Sequence, residues 1–137
     1  MGDLTTNFSR NEFHCKHCGL ILMNMDLVFA LQQLRNLVNV KITVNSGYRC
    51  KKHPESLKRS GSQHALGNAA DIVIEGFDWK EMYKYARQIP EFENGGIGVY
   101  PENNFIHVDV RGKKARWAYV GEEYVAIETV LSPCELE

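Results

Sequence analysis

The chemistry-bearing residues of this chain gather around two of its five histidines. His64 stands in Ser62-Gln63-His64-Ala65-Leu66-Gly67-Asn68-Ala69-Ala70-Asp71. Asp71 interrupts an apolar run, Ala69-Ala70-Asp71-Ile72-Val73-Ile74, where a carboxylate is costly to bury unless something neutralises it. A divalent metal is the simplest neutraliser, and Gly67 with the small Ala69 and Ala70 lets the backbone turn closely between the two ligands. His107 stands in Phe105-Ile106-His107-Val108-Asp109-Val110-Arg111. Strand alternation puts His107, Asp109 and Arg111 on one face and Ile106, Val108 and Val110 on the other. Two imidazoles and one carboxylate, here His64, His107 and Asp71, are a usual catalytic zinc set that leaves a fourth position for water. Taken singly, a histidine at a loop end is most often just hydrogen-bonded, and a strand aspartate most often pairs with an arginine. The combination is what argues for a shared ion.

The sulfur residues suggest a second metal. Cys15-Lys16-His17-Cys18 and Cys50-Lys51-Lys52-His53 supply a C-x2-C and a C-x2-H half. Together Cys15, Cys18, Cys50 and His53 would make a structural Cys3His zinc site, with His14 or His17 able to replace His53. The alternatives are buried thiols or one disulfide. Cys134, near the end, is a bystander. A domain of this size builds a core without disulfides, so reduced thiols or metal ligation are expected.

These residues need a scaffold, and composition allows one. With 137 residues, 44% hydrophobic and 24% charged, the chain has room for a single domain and an ordinary core. Sixteen basic against seventeen acidic residues leave a formal charge of −1, which disfavours a duplex-DNA binder. No run of about 18 apolar residues is present, so no membrane span is expected. The polar start Met1-Gly2-Asp3-Leu4-Thr5-Thr6-Asn7 lacks the basic and apolar regions of a signal peptide, so cytoplasmic synthesis without a leader is expected.

Asn24 or Asp26 caps a predicted helix to about Val38, with Leu27, Leu31, Leu34 and Val38 on its buried face. Val40, Ile42 and Val44 alternate with polar residues as a half-buried strand. Ser46 to Gln63 lacks periodicity and reads as a long loop of the kind that usually carries function. Ala69 to Ile74 reads as a buried strand. Asp78 with Glu81 forms a capping box for a second helix, whose stripe is Trp79, Met82, Ala86 and Ile89 and which Pro90 stops. Gly96 to Tyr100 and Phe105 to Arg111 flank the turn Pro101-Glu102-Asn103-Asn104 as a hairpin. Ala115 to Val120 and Tyr124 to Leu131 continue the sheet. The expected class is α+β, a single domain with an antiparallel sheet and helices packed on it.

Four segments carry a family resemblance: Ser46-Gly47-Tyr48-Arg49-Cys50, Ser62-x-His64-x-x-Gly67-x-Ala69-x-Asp71, Gly96-Ile97-Gly98-Val99-Tyr100-Pro101 and His107-Val108-Asp109-Val110-Arg111. From about Phe13 to Trp117 the chain resembles the zinc D-Ala-D-Ala carboxypeptidase family. That family belongs to the peptidoglycan-cleaving LAS metallopeptidases, which are structurally related to the hedgehog signalling domain. Its short forms include bacteriophage cell-wall lysis enzymes. The resemblance implies zinc ligation by His64, Asp71 and His107. It also implies substrate binding by Arg49, with Tyr48 and Ser62 beside it, and a cleft walled by Tyr48, Tyr100 or Trp117. Several relatives carry the base three residues before the last zinc histidine, where this chain has Asn104. Asp109, on the face of His107, and Glu102, five residues before it, are the candidates, and Asp109 could instead serve only to orient His107 or Arg111.

The implied reaction is metal-assisted amide hydrolysis. Zinc lowers the pKa of its bound water toward about 7, and a carboxylate passes the water's proton to the leaving amine. The implied partners are peptidoglycan stem or cross-bridge peptides, met by a monomer released to the cell wall at lysis. The alternative is a non-catalytic, zinc-stabilised binding module of hedgehog-like fold. A zinc-ribbon nucleic-acid binder lacks the basic surface it would need.

Overall fold

A computed structural model describes residues 4–9, 12–13, 24–47 and 67–133. Helix α1, Met25–Val38, starts where Asn24 accepts a hydrogen bond from the Asp26 N–H at 2.9 Å. It stops at Asn39, whose left-handed backbone (φ 55°) sends its N–H to Arg35 O. Its buried side is Leu27, Val28, Ala30, Leu31 and Leu34. Strand β1, Ile42–Ser46, follows, then β2, Ala69–Ile74. Helix α2, Trp79–Ala86, carries the capping box: Asp78 accepts from Glu81 N at 2.8 Å, and Glu81 accepts from Asp78 N at 3.2 Å. This helix ends at Ala86, before Ile89 of the expected stripe, and Pro90 instead opens a short helix, α3, Pro90–Glu93, with Ile89 as its N-cap, because the missing N–H of proline costs nothing at a first helical position.

Strands β3, Gly96–Tyr100, and β4, Phe105–Asp109, form the expected hairpin. Strands β5, Ala115–Val120, and β6, Glu123–Val125, complete a six-stranded sheet in the order β1-β2-β4-β3-β5-β6. After β6 the chain leaves the sheet in a 3-10 turn, Ile127–Thr129, so the expected long last strand is only three residues.

The class is α+β, as expected, but the sheet is mixed. Strand β5 pairs with β3 in parallel. Strand β4 ends beside Gly96, and β5 begins beside the same Gly96. The five residues between them therefore cross the start of β3 instead of folding β5 back on β4. Gly112, at φ +80°, makes the bend.

One sheet face, with Ile72, Ile74, Ile97, Val99, Ile106, Val108 and Ala118, packs with α1, α2 and α3 through Leu27, Leu31, Leu34, Met82, Ala86 and Phe92. Phe13 joins this core, and its backbone lies so close to Gly47 that a Cβ there would overlap it. The opposite face carries the polar and aromatic residues described below. No helix among the described residues is long and apolar enough to cross a membrane.

Asp78→Ala removes one side of the capping box and should lower stability by about 1 kcal/mol. Urea unfolding should show a lower midpoint with an unchanged slope.

Candidate active site

The strand registers place the site residues in rows across the sheet face opposite the described helices. One row reads Ser46, Asp71, His107, Gly98 and Trp117 on successive strands β1, β2, β4, β3 and β5. Ser46 enters this row because an extra residue, Asn45, interrupts the β1–β2 register after Val44 and flips the alternation. The neighbouring row is Ala69, Asp109, Gly96 and Ala115. The two glycines of β3 leave the room these rows need. A Cβ at Gly98 would overlap the Trp117 indole, and one at Gly96 would overlap the Asp109 carboxylate.

Asp109 is 0% exposed and collects hydrogen bonds from four sides. Its Oδ1 accepts from Gly96 N at 2.8 Å, Arg111 N at 3.2 Å and Arg111 Nε at 2.9 Å. Its Oδ2 accepts from Arg111 Nη2 at 2.6 Å and lies 2.7 Å from His107 Nε2. Burial alone would raise the Asp109 pKa, but the bonds from His107 and Arg111 outweigh it and hold the carboxyl far below its usual range. An ionised carboxylate only accepts, so His107 Nε2 must carry the proton in that bond.

His107 Nδ1 then faces Asp71 Oδ1 at 3.3 Å with both residues buried. A neutral imidazole would set a lone pair against a carboxylate there, a contact that a proton or a cation between them relieves. Burial pulls the His107 pKa down, yet the bonds to Asp109 and Asp71 prevail and raise it above the ordinary value. The donor set of one carboxylate oxygen and one imidazole nitrogen suits zinc. Among the described residues no group of three such ligands is assembled, and His64 lies outside them.

Aromatic rings surround this centre. The Trp117 ring lies 4.8 Å from the His107 ring, and the Arg111 guanidinium sits over the indole at 5.3 Å. On the other side Tyr100 stacks on Phe105 at 4.3 Å, with Tyr119 and then Tyr124 beyond it. Burial and the nearby Asp71 charge push the Tyr100 phenol up, so it stays protonated.

The Peptidase M15 family matches residues 4–109 of the chain's 137, a span that contains Asp71, His107 and Asp109. The chain belongs to the Peptidase M15 family. It is 33% identical over 87 residues to the probable peptidoglycan L,D-endopeptidase MepK of Haemophilus influenzae, covering 59% of this chain and 45% of that protein. It is 32% identical over 95 residues to the peptidoglycan L,D-endopeptidase MepK of Escherichia coli K12, covering 64% of this chain and 50% of that one. The chain thus spans about half the length of the curated relatives it matches. Family membership agrees with the resemblance read from the sequence.

Within this Peptidase M15 chain, Asp71 and His107 of the expected ligand set are adjacent. Tyr48, Arg49, Ser62 and His64 lie outside the described residues, as do Cys15, Cys18, Cys50 and His53 of the expected second metal site. Glu102 sits in the β3–β4 turn, beyond the Tyr100–Phe105 pair that closes the hairpin, where it accepts from Gly121 N at 2.7 Å. Asn104 also serves the turn. It takes a left-handed backbone (φ 52°) and accepts the free N–H of Trp79 at the start of α2, at 2.8 Å.

Two features escaped the sequence reading: the space-making Gly96 and Gly98, and the place of Ser46. Glycine at alternate positions of one strand was the available signal for the first.

Gly98→Ala should force the indole aside, costing about 1–3 kcal/mol and shifting the tryptophan fluorescence. Asp109→Asn should cost about 3 kcal/mol or more, since it leaves Arg111 and His107 without their buried anion. Because the Asp109 pKa is depressed in the folded state, its contribution is complete above the unfolded value of about 4 and fades as pH falls below it. The difference between wild type and Asp109→Asn should therefore shrink in acid, as denaturant titrations at several pH values would show.

Proposed function

We propose that this chain is a zinc-dependent peptidase that hydrolyses a peptide bond in peptidoglycan stem or cross-bridge peptides. Asp71 and His107, with His64, would hold the metal. The observation that carries the proposal is the line Asp71–His107–Asp109, in which a buried anion fixes the imidazole tautomer and turns Nδ1 toward a second carboxylate. The names of the MepK relatives and the family match support a cell-wall substrate. When bound, zinc supplies Lewis acidity, which activates water and polarises a peptide carbonyl near neutral pH.

The protein's own part is orientation and shielding. In this reading Asp109 is a positioning residue, because both of its oxygens are engaged and it has no surface from which to take a proton from solvent-side water. Such partners of a ligating histidine typically affect metal affinity strongly. Trp117 and Tyr100 wall the cleft, and Arg49 with Tyr48 and Ser62 would hold the peptide. Glu102 remains the exposed carboxylate to test as base.

A second reading, a zinc-stabilised binding module without hydrolysis, draws on Asn104. That residue is committed to the turn and to α2 at the position where several relatives carry an acid.

Metal analysis and release of peptides from purified walls separate these readings. The peptidase should hold one zinc per chain, or two if Cys15, Cys18, Cys50 and His53 also bind. His107→Ala and Asp71→Ala should each lose one zinc and the activity. Asp109→Ala should weaken zinc binding about 10–100-fold. Proton and metal compete for Nδ1, so zinc affinity should fall on acidification, starting above the ordinary histidine value of about 6.5 because the His107 pKa is raised. Wild type that keeps its zinc but releases nothing from several wall types would select the binding module.

A further inference from the structure

We infer that Arg111 is a carboxylate anchor for the substrate at the rim of the metal site, separate from Arg49. The inference rests on the peptidase reading for the identity of its ligand. A guanidinium has five N–H donors in a rigid fork. Arg111 presents one edge to Asp109: Nε reaches Oδ1 at 2.9 Å and Oδ2 at 3.0 Å, and Nη2 reaches Oδ2 at 2.6 Å. That side-on geometry leaves both hydrogens of Nη1 and one of Nη2 directed away from Asp109, with no partner among the described residues. The side chain keeps 27% of its surface exposed, so these donors are within reach of a ligand.

The head is already held in place. Asp109 grips one edge, and the guanidinium Cζ sits over the Trp117 ring, 5.3 Å from the ring centroid. A ligand that meets it finds a preorganised fork and little side-chain entropy left to lose. It is also close to the reacting centre. Asp109 Oδ2 receives both Arg111 Nη2 at 2.6 Å and His107 Nε2 at 2.7 Å, so one carboxylate oxygen separates the guanidinium from the imidazole. A planar anion with two oxygens is the natural partner of the remaining donors, and the free carboxylates of stem peptides fit that description. A carboxamide has the same shape but only one acceptor oxygen and no charge, so amidation of the carboxylate that Arg111 holds should be felt.

The test uses the zinc-loaded full chain and a synthetic stem peptide with all carboxylates free, beside versions amidated at one carboxylate at a time. Binding is read by rapid titration of tryptophan fluorescence, before turnover, and hydrolysis is followed separately. For wild type, one amidation should weaken binding about tenfold or more, whereas in Arg111→Met the parent and that amide should bind within about twofold of each other. Arg111→Lys keeps a positive charge for Asp109 but not the fork. It should lose most of the preference, and it serves as the test if the Met variant does not fold.

Zinc content measured on each variant shows whether the metal site survives. Wild type that binds every amide as tightly as the parent, or that binds none of the peptides, overturns the anchor. So does a folded variant that keeps the wild-type ratio. A carboxylate preference that depends on Arg111 in a protein that cleaves nothing would leave the anchor standing and remove the peptidase reading. Cleavage without any such preference would do the reverse.

Discussion

Asp109 has no exposed surface, and the geometry of the site follows from how its charge is satisfied. A buried carboxylate is tolerated only when its oxygens are paired. Here the Gly96 and Arg111 amides, the Arg111 guanidinium and the His107 imidazole all converge on it. Each of those bonds has a consequence beyond balancing charge. The Gly96 bond joins β4 to β3 by a side chain as well as by the ladder. The Arg111 pair keeps the carboxylate ionised and pins the crossing segment that leads to β5. The His107 bond selects one imidazole tautomer and so decides which nitrogen faces Asp71.

The sheet is built to make that cluster possible. The described helices pack on one face, and the other carries the polar and aromatic residues. Two glycines in β3 leave gaps that a carboxylate and an indole fill. An extra residue in β1 brings Ser46, the first residue of the Ser-Gly-Tyr-Arg segment, onto the face of Asp71. The parallel β3–β5 pair carries Trp117 to the row of His107. An antiparallel β5 beside β4 would have placed it elsewhere. The rings of Tyr100, Phe105, Tyr119 and Tyr124 continue the same face as an apolar bank next to the polar centre.

Membership of the Peptidase M15 family and this arrangement meet at the same few residues. The matched span ends at Asp109, and the arginine that neutralises Asp109 lies just past it. The charges of this face therefore extend past the matched span, from Asp71 and Asp109 to Arg111. Asn104 shows the converse. Its position relative to His107 suggests chemistry, but its left-handed backbone and its bond to Trp79 N tie it to the turn and the helix start.

Much of the fold could be read directly from the residues. Periodicity and caps located α1, β2 and α2, with Asn24 and the Asp78–Glu81 box doing locally what they do in isolated helices. Alternation placed His107, Asp109 and Arg111 on one face, and an aspartate inside an apolar strand announced a charged partner. These signals survive in the sequence because each depends on residues no more than a turn or a few strand positions apart. Which residues become neighbours across strands was decided only by the tertiary structure. The pairing of Asp71 with His107, the gaps at Gly96 and Gly98, the bulge at Asn45 and the parallel β5 all depend on register between segments far apart in the chain. The burial of Asp109 belongs with them: His107 and Arg111 are its neighbours in sequence, but the Gly96 N–H and the packing that leave it without exposed surface come from other strands.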